Sequence, residues 1–281
     1  MKIFVLTDME TKSENIGTEH GLSLFVDLGD RRILFDMGQT DLYRHNAKAM
    51  GVDLSQTDYA VLSHGHYDHG GSLTDFLKHT PDVPIYVRSN AFGPFYSNRG
   101  ADGVRFIGLH MPSEGPENER IVFTGEEHEI EAGVILFSVP QINVPMPLGN
   151  RFLFEKTEDG PFIPDEFMHE QNLLIHRDGV SLLIAGCAHR GIPNILDWVK
   201  ARFDVCPQYI VGGFHLSRSD EFGEEGQVQI NQFGEYLKKS GAMYYTCHCT
   251  GKKSYKKLKK LLGDRIQYAY AGSEIYIEDK E

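Results

Sequence analysis

Short apolar or alternating runs, each about the length of a β-strand, recur along the whole chain. They lie at residues 3–7, 22–28, 31–35, 59–62, 84–87, 134–139, 172–176, 180–185, 209–211, 243–246 and 274–277. Between them, apolar residues recur with a helical period in three later segments, at Ile195, Val199 and Phe203, at Ile230, Phe233 and Leu237, and at Tyr255, Leu258, Leu261 and Leu262. Shorter helices are predicted near 41–50 and 72–79. Several adjacent strands interrupted by helices predict layered sheets flanked by helices.

Two irregular stretches, 89–119 and 140–147, are rich in glycine, proline or asparagine. We predict that both are loops over a site, because functional residues are concentrated on long loops held by a rigid scaffold.

The densest set of candidate metal ligands directly follows the predicted strand 59–62. In the run Ser63-His64-Gly65-His66-Tyr67-Asp68-His69-Gly70-Gly71, four candidate ligands fall within six residues. In an extended chain His64 and His66 point to the same side, while Asp68 and His69 lie on the turn that follows, so the run can present ligands to two neighbouring ions. With 13 histidines in 281 residues, chance would give this spacing roughly 0.002 times. A metal site is therefore favoured over a solvated histidine-rich loop.

Three further predicted strands end in a histidine. They lead to Cys187-Ala188-His189, to Gly213-Phe214-His215 and to Cys247-His248-Cys249. The carboxyl ends of these strands are expected to converge on one edge of a sheet, where sites of α/β type are commonly built. Each histidine could instead be a satisfied structural residue. Cys187 is either a thiolate ligand or a small buried side chain.

Two residues are candidates for supporting roles. Asp36 follows an apolar strand and could orient a ligand histidine through its other ring nitrogen, or it could simply form a turn before Gly38. His20, in Thr18-Glu19-His20-Gly21, precedes a strand and is a candidate pocket residue.

Composition and charge narrow the class of protein. The chain has 281 residues, a formal net charge of -12 and four cysteines, so we expect a reducing, cytoplasmic protein with no nucleic-acid partner and no membrane association. The opening residues predict a first strand, not a signal peptide. Cys247 and Cys249 have no second C-x-x-C pair beside them, which disfavours a closed structural zinc finger. The lysines of 252–260 could attract a phosphate-bearing substrate, or form the wet face of a helix.

Taken together, these motifs resemble the metallo-β-lactamase superfamily. The segments that carry the likeness are 18–23, 62–71, 91–94, 186–192, 212–216 and 247–251. They resemble the branch usually labelled metal-dependent hydrolases of β-lactamase superfamily II, some of whose members are described as 7,8-dihydropterin-6-methyl-4-(β-D-ribofuranosyl)aminobenzene-5'-phosphate synthases. The resemblance implies an α+β fold, a four-layer αββα sandwich of two mixed β-sheets, and a single domain over residues 1–281.

The resemblance also implies roles for individual residues. His64 and His66 match ligands of a first metal ion, Asp68 and His69 match ligands of a second, and His248 matches the last ligand histidine. Common members have a histidine and a bridging aspartate in the middle of the pattern, where this chain offers Cys187, His189 and His215 instead.

These features predict an enzyme with one or two divalent ions, zinc first and manganese, iron or magnesium as alternatives. The metal would lower the pKa of a bound water so that hydroxide attacks a small ester or phosphoester, with Asp68 and His189 as catalytic residues. One alternative is a transferase that condenses a dihydropterin methyl diphosphate with a ribofuranosylaminobenzene phosphate. Another is a non-catalytic metal or ligand binder. The expected partner is a small molecule, phosphorylated or pterin-like.

Overall fold

The computed structural model describes residues 1–112, 115, 118–157 and 159–278. These residues form two compact units. The first comprises Met1–Phe95, Phe106–Gly125 and Ala269–Glu278, and the second comprises Tyr96–Arg105 and Glu126–Tyr268. The single domain expected over 1–281 stays a prediction.

Both units contain strands and helices. The strands are β1 Lys2–Thr7, β2 Ser23–Asp27, β3 Arg32–Phe35, β4 Tyr59–Val61, β5 Ile85–Arg88, β6 Phe95–Asn98, β7 Val104–Phe106, β8 Ile121–Thr124, β9 Glu127–Glu131, β10 Val134–Phe137, β11 Leu153–Lys156, β12 Phe162–Pro164, β13 Asn172–Arg177, β14 Val180–Ala185, β15 Tyr209–Gly212, β16 Met243–Thr246, β17 Ile266–Tyr268 and β18 Glu274–Tyr276. The helices are α1 Leu42–Ala49, α2 Tyr67–Gly70, α3 Leu73–His79, α4 Ile192–Phe203, α5 Gly223–Ser240 and α6 Lys252–Leu262.

The first unit is built on a mixed seven-stranded sheet with the order β18-β1-β2-β3-β4-β5-β8. Strands β18, β1, β2 and β3 pair antiparallel, and the pairs from β3 to β8 are parallel. Its core combines strand residues such as Leu34 and Ala60 with Phe76 and Leu77 of α3. The parallel β3 and β4 therefore end on the same edge, and the chain leaves β4 directly into the histidine run.

The second unit repeats this plan with the order β17-β16-β15-β14-β13-β10-β9. Strands β9, β10, β13 and β14 pair antiparallel, whereas β14, β15, β16 and β17 are parallel. Strand β14 is apolar except at Ser181 and is buried at all six positions, as expected for a strand covered on both faces. A further four-stranded sheet, with the order β12-β11-β6-β7, draws most of its residues from this unit.

The helical patterns are confirmed. Helix α4 has Pro193 in its first turn and ends at Asp204, which adopts a left-handed φ of 56°, and it buries Ile195 and Val199 against the second-unit core. The lysines of α6 lie around a buried stripe that includes Leu258. Two of them pair with Asp220, which favours the wet-face interpretation of this helix.

One loop prediction is wrong in part. The stretch 89–119 contains β6 and β7, because a run of four or three residues among glycines is too short to show a clear alternation. Residues 113, 114, 116 and 117 of that stretch lie outside the described residues. The stretch 140–147 has neither helix nor strand, as predicted. In the part of the chain that the structure describes, no helix combines the length and apolar character needed to cross a bilayer.

Candidate metal centre

In the first unit the histidine run forms one buried cluster. His64 and His69 are fully buried and His66 is nearly so. Nε2 of His64 lies 3.0 Å from Nδ1 of His66, and the ring centroids of His64 and His69 are 4.1 Å apart. His66 immediately precedes α2, which carries Asp68 and His69. The run therefore gathers its three imidazoles, with the last two candidate ligands on a helical turn where a simple turn was predicted.

Asp36 sets the protonation of two of these rings. Its Oδ2 accepts hydrogen bonds from Nδ1 of His69, at 2.6 Å, and from Oγ of Ser63, at 2.7 Å, while its Oδ1 accepts from the Ser63 N–H. Since the single hydroxyl proton of Ser63 goes to Asp36, Oγ of Ser63 accepts from Nδ1 of His64, 2.8 Å away. Both His64 and His69 thus carry their proton on Nδ1 and present the lone pair of Nε2, the form needed for a metal ligand.

Asp68 and His20 lie beside the cluster. Oδ2 of Asp68 is 3.3 Å from Nε2 of His20 and 3.8 Å from Nε2 of His69. Asp68 is buried, whereas about half of the His20 side chain is exposed. The structure thus puts His20 at the rim of the predicted site and Asp68 against a candidate ligand. Their roles in binding and catalysis stay predictions.

In the second unit the ends of β14, β15 and β16 converge, as the sequence predicted. Potential ligand atoms of Cys187, His189 and His215 all lie within 4.8 Å of one another, and so do those of Cys187, His248 and Cys249. Cys187 belongs to both sets. The strands are parallel neighbours in the order β14-β15-β16, so their loops leave the same edge of the sheet.

His189 is held on three sides. The ring stacks on Phe167 with centroids 4.4 Å apart and planes at 3°. Nδ2 of Asn150 donates to the carbonyl of His189 at 2.7 Å, which leaves Oδ1 of Asn150 facing Nδ1 of His189 at 3.0 Å. Because an amide oxygen only accepts, His189 carries its proton on Nδ1 and the lone pair on Nε2. The buried carboxylate of Glu170 accepts the N–H groups of His189 and Arg190 and so fixes the loop; burial raises the pKa of Glu170 in spite of these bonds.

His215 and His248 are placed by unusual backbone. Both adopt left-handed φ values, 48° and 49°, a region sparsely populated by residues other than glycine. Nδ1 of His215 is buried and has no hydrogen-bond partner among the residues that the structure describes. Burial alone would raise the pKa of the Cys249 thiol, but hydrogen bonding with Cys187 and His215 and the charges of His248 and His215 hold it well below its ordinary value.

Sequence reasoning missed three residues near these clusters. Cys249 was considered only as half of a C-x-C pair. Nε2 of His169 lies 3.1 Å from Oδ2 of Asp165, and both side chains are buried in the second unit. The signal that could have found the pair is an acid and a histidine four residues apart in the segment that precedes the buried strand β13.

A cavity of about 460 Å³ opens beside this cluster in the second unit. Its walls include Asn150 and Asp165, which contact His189 and His169, together with the apolar Met146 and Val228. Its volume is within the range typical of small-molecule sites, about 300–1,000 Å³.

The donor atoms in both clusters suit a divalent metal. Imidazole nitrogens, thiolates and a carboxylate are the usual ligands of zinc, and His215 presents a buried nitrogen for which the protein supplies no partner among the described residues. The candidates are His64, His66, Asp68 and His69 in the first unit and Cys187, His189, His215 and His248 in the second. That these residues bind ions stays a prediction.

The chain is similar to known proteins over nearly its whole length. A family model described as the Metallo-beta-lactamase superfamily matches residues 16–208. The uncharacterized protein MJ0448 of Methanocaldococcus jannaschii is 26% identical over 279 residues, covering 98% of this chain and 100% of that protein.

Two further similar proteins have names that state an activity. A protein of the same organism named 7,8-dihydropterin-6-methyl-4-(beta-D-ribofuranosyl)-aminobenzene-5'-phosphate synthase is 25% identical, covering 98% of this chain and 96% of that protein. The crystal structure of Tm1679, called a metal-dependent hydrolase of the beta-lactamase superfamily, superposes with a TM-score of 0.81 at 29% identity and covers 99% of this chain and 100% of that one. The likeness is thus not confined to the histidine run.

Proposed function

Because the chain belongs to the metallo-β-lactamase superfamily, with its α+β fold of mixed sheets, we propose that it is a metal-dependent hydrolase of a small ester or phosphoester. The observation that carries the proposal is the burial of the first-unit cluster, in which His64 and His69 are fully buried with their rings in contact. The hydrogen bonds to Nδ1 of His64 and of His69 keep the lone pair on Nε2 of each ring, which is the form in which a histidine binds a metal ion.

A bound zinc ion would act as a Lewis acid and lower the pKa of a water to about 7, far below that of bulk water. Asp68 would orient that water and accept its proton at Oδ2, the oxygen that lies near His20 and His69. The lone pair on Nε2 of His189 is set by Asn150. As a catalytic residue and not as a metal ligand, this ring would use that lone pair to take up a proton and return it to the leaving group. Stacking on Phe167 holds the ring in that orientation.

A second candidate function is the condensation named for the 25% identical relative. There a diphosphate would leave a pterin methyl group while an aryl amine attacks the carbon. The second-unit cavity supports a small-molecule substrate, with apolar walls at Met146 and Val228 and polar groups at Arg151 and Gln232. Both candidates use the same metal ligands.

The experiment combines metal analysis with turnover. The purified chain should contain stoichiometric divalent metal and hydrolyse a bis(aryl) phosphodiester, and a chelator should abolish the activity reversibly. His66→Ala should lose both metal and turnover. The matched control is His45→Ala, because His45 lies on α1 of the same unit with 70% of its side chain exposed.

The outcomes separate the rivals. Full metal content and turnover in His66→Ala would refute the ligand assignment. Tight metal without turnover on esters or phosphodiesters, but with condensation of a dihydropterin methyl diphosphate and an aryl amine, would favour the transferase. Tight metal with neither activity would favour a non-catalytic binder and overturn the proposed function.

A further inference from the structure

We propose that Cys187, His248 and Cys249 form a thiolate-rich site in the second unit that selects zinc and other soft or borderline ions over magnesium and calcium. The proposal deepens the proposed function and rests on it for the requirement for a metal. Its new element is Cys249, which neither the sequence motifs nor the family resemblance assigned to a site.

The three side chains lie close together and are buried. Their ligand atoms all lie within 4.8 Å of one another, and all three residues are at least 95% buried. They come from the ends of two strands, β14 and β16, that are separated in the sheet by β15. Two thiols 62 positions apart in the chain are thus brought to one point, where a C-x-C pair alone would supply no closed set.

A glycine leaves a gap at the end of β15. Gly213 follows β15, and a Cβ atom at this position would lie 2.4 Å from Sγ of Cys249 and 2.9 Å from the carbonyl oxygen of Gly186. Any other residue would therefore displace the thiol. The absence of a side chain at the end of β15 is what lets the thiols of the flanking strands approach each other.

Hydrogen bonds and the local backbone position the sulfur of Cys249. The backbone N–H of His215 donates to it at 3.3 Å, a bond that stabilises a thiolate and orients its remaining lone pairs. Without a metal, the Cys249 thiol donates to the carbonyl oxygen of Cys187 at 3.6 Å, and a bound metal ion would take the place of that proton. Left-handed φ angles at Ala188, His215 and His248 turn the chain beside each thiol, and such strained residues cluster at functional sites.

The donor set determines the class of ion. Soft thiolates with one imidazole favour zinc, copper(I) or iron, whereas magnesium and calcium require oxygen ligands. Three protein ligands leave a fourth position open, as in catalytic rather than structural zinc sites.

The test uses the full chain, stripped of metal and titrated with Co²⁺. Thiolate ligation should produce an intense near-ultraviolet charge-transfer absorption, and Cys249→Ser and Cys187→Ser should each remove about half of it because one of two thiolates is lost. Cys206→Ser is the matched control, since Cys206 is an exposed thiol of the same unit. An absorption in Cys249→Ser equal to that of Cys206→Ser would overturn the proposal.

A measurement on the unmodified protein keeps the test decisive if the variants do not fold. X-ray absorption of the zinc-loaded chain should show sulfur scatterers at about 2.3 Å, and a shell of nitrogen and oxygen only would refute the proposal. Turnover of the same samples separates the two ideas. Chelator-sensitive turnover without sulfur ligation would support the proposed function and refute the thiolate site. Sulfur ligation without turnover would support the thiolate site and refute the proposed function.

Discussion

Changing Asp36 to asparagine should disable two candidate ligands by the exchange of one atom. In the native network Oδ1 accepts from the Ser63 N–H, and Oδ2 accepts from the Ser63 hydroxyl and from Nδ1 of His69. Asparagine would keep its oxygen at the Ser63 N–H and turn its NH₂ group toward the other two partners. Both bonds would then reverse, since an amide NH₂ only donates. Nδ1 of His69 would become an acceptor, and the freed Ser63 hydroxyl would donate to Nδ1 of His64. Each ring would then carry its proton on Nε2.

The magnitude follows from the number of rings affected. Loss of an outer partner of a metal-bound histidine typically costs 10–100-fold in affinity. Two reversed rings should therefore cost about 10²- to 10⁴-fold, or about 2.7–5.5 kcal/mol. Ser63→Ala removes the hydroxyl that joins Asp36 to His64 but keeps the bond between Asp36 and His69, and it should cost about 10–100-fold. The fully buried Asp36 also loses charge-assisted hydrogen bonds. The free energy of unfolding of the metal-free variant should therefore be lower by about 1–3 kcal/mol.

Zinc affinity would be measured by competition with a chromophoric chelator, and the tautomers by ¹⁵N chemical shifts of the histidine rings in the metal-free protein. Asp75→Asn is the control, because it removes a carboxylate that pairs with Arg44 at 2.7 Å in the same unit but contacts none of the candidate ligands. Equal zinc affinity in the Asp36 and Asp75 variants would refute the reasoning. So would unchanged tautomers in Asp36→Asn.

Three further predictions concern the second unit. Asn150→Ala removes the acceptor for Nδ1 of His189 and should lower turnover about 10–100-fold; unchanged turnover at saturating metal would contradict it. Burial raises the pKa of Tyr244 to about 12, above the ~10 of an exposed tyrosine. The stability contributed by its neutral phenol is therefore complete below pH 10, and about 2 kcal/mol of it is lost as the pH rises toward 12. Urea unfolding of Tyr244→Phe should show a weaker decline over that range, and an unchanged decline would count against the assignment. Ile210→Ala, at a fully buried position of β15, should cost about 2–5 kcal/mol in urea unfolding, whereas Val228→Ala, 46% exposed, should change it by less than about 0.5 kcal/mol.

The sequence predicted the elements whose pattern is visible within a short stretch of the chain. Strand β14 is apolar except at Ser181, and α4 repeats Ile195 and Val199 at helical spacing, so both follow from short-range pattern. The superfamily branch and the α+β fold are confirmed, because the family motifs are themselves local strings. The strands β6, β7, β8, β9, β11, β12 and β17 were not predicted. They are three to five residues long, and pairing with other strands, not their own pattern, makes them strands.

The same distinction applies to the site. The run from His64 to His69 could be found because its ligands are contiguous in sequence. Asp36 could be proposed as a supporting residue, but its link to His64 through Ser63 depends on where a hydroxyl proton points, which no spacing encodes. Cys249 becomes a candidate only when the ends of β14 and β16 lie close together. Asp165 and His169 are four residues apart, but their spacing does not show that both side chains are buried.

One backbone device recurs where the candidate ligands leave the strands. Asp36 follows β3, while Ala188, His215 and His248 follow β14, β15 and β16, and all four have φ between 48° and 58°. A left-handed residue without the freedom of glycine costs about 1–2 kcal/mol, so the four together cost about 4–8 kcal/mol, comparable to the net stability of a domain. Strain of that size at strand ends is expected where it sets the direction of a side chain. The chain thus gives up stability at the places where it needs ligand direction.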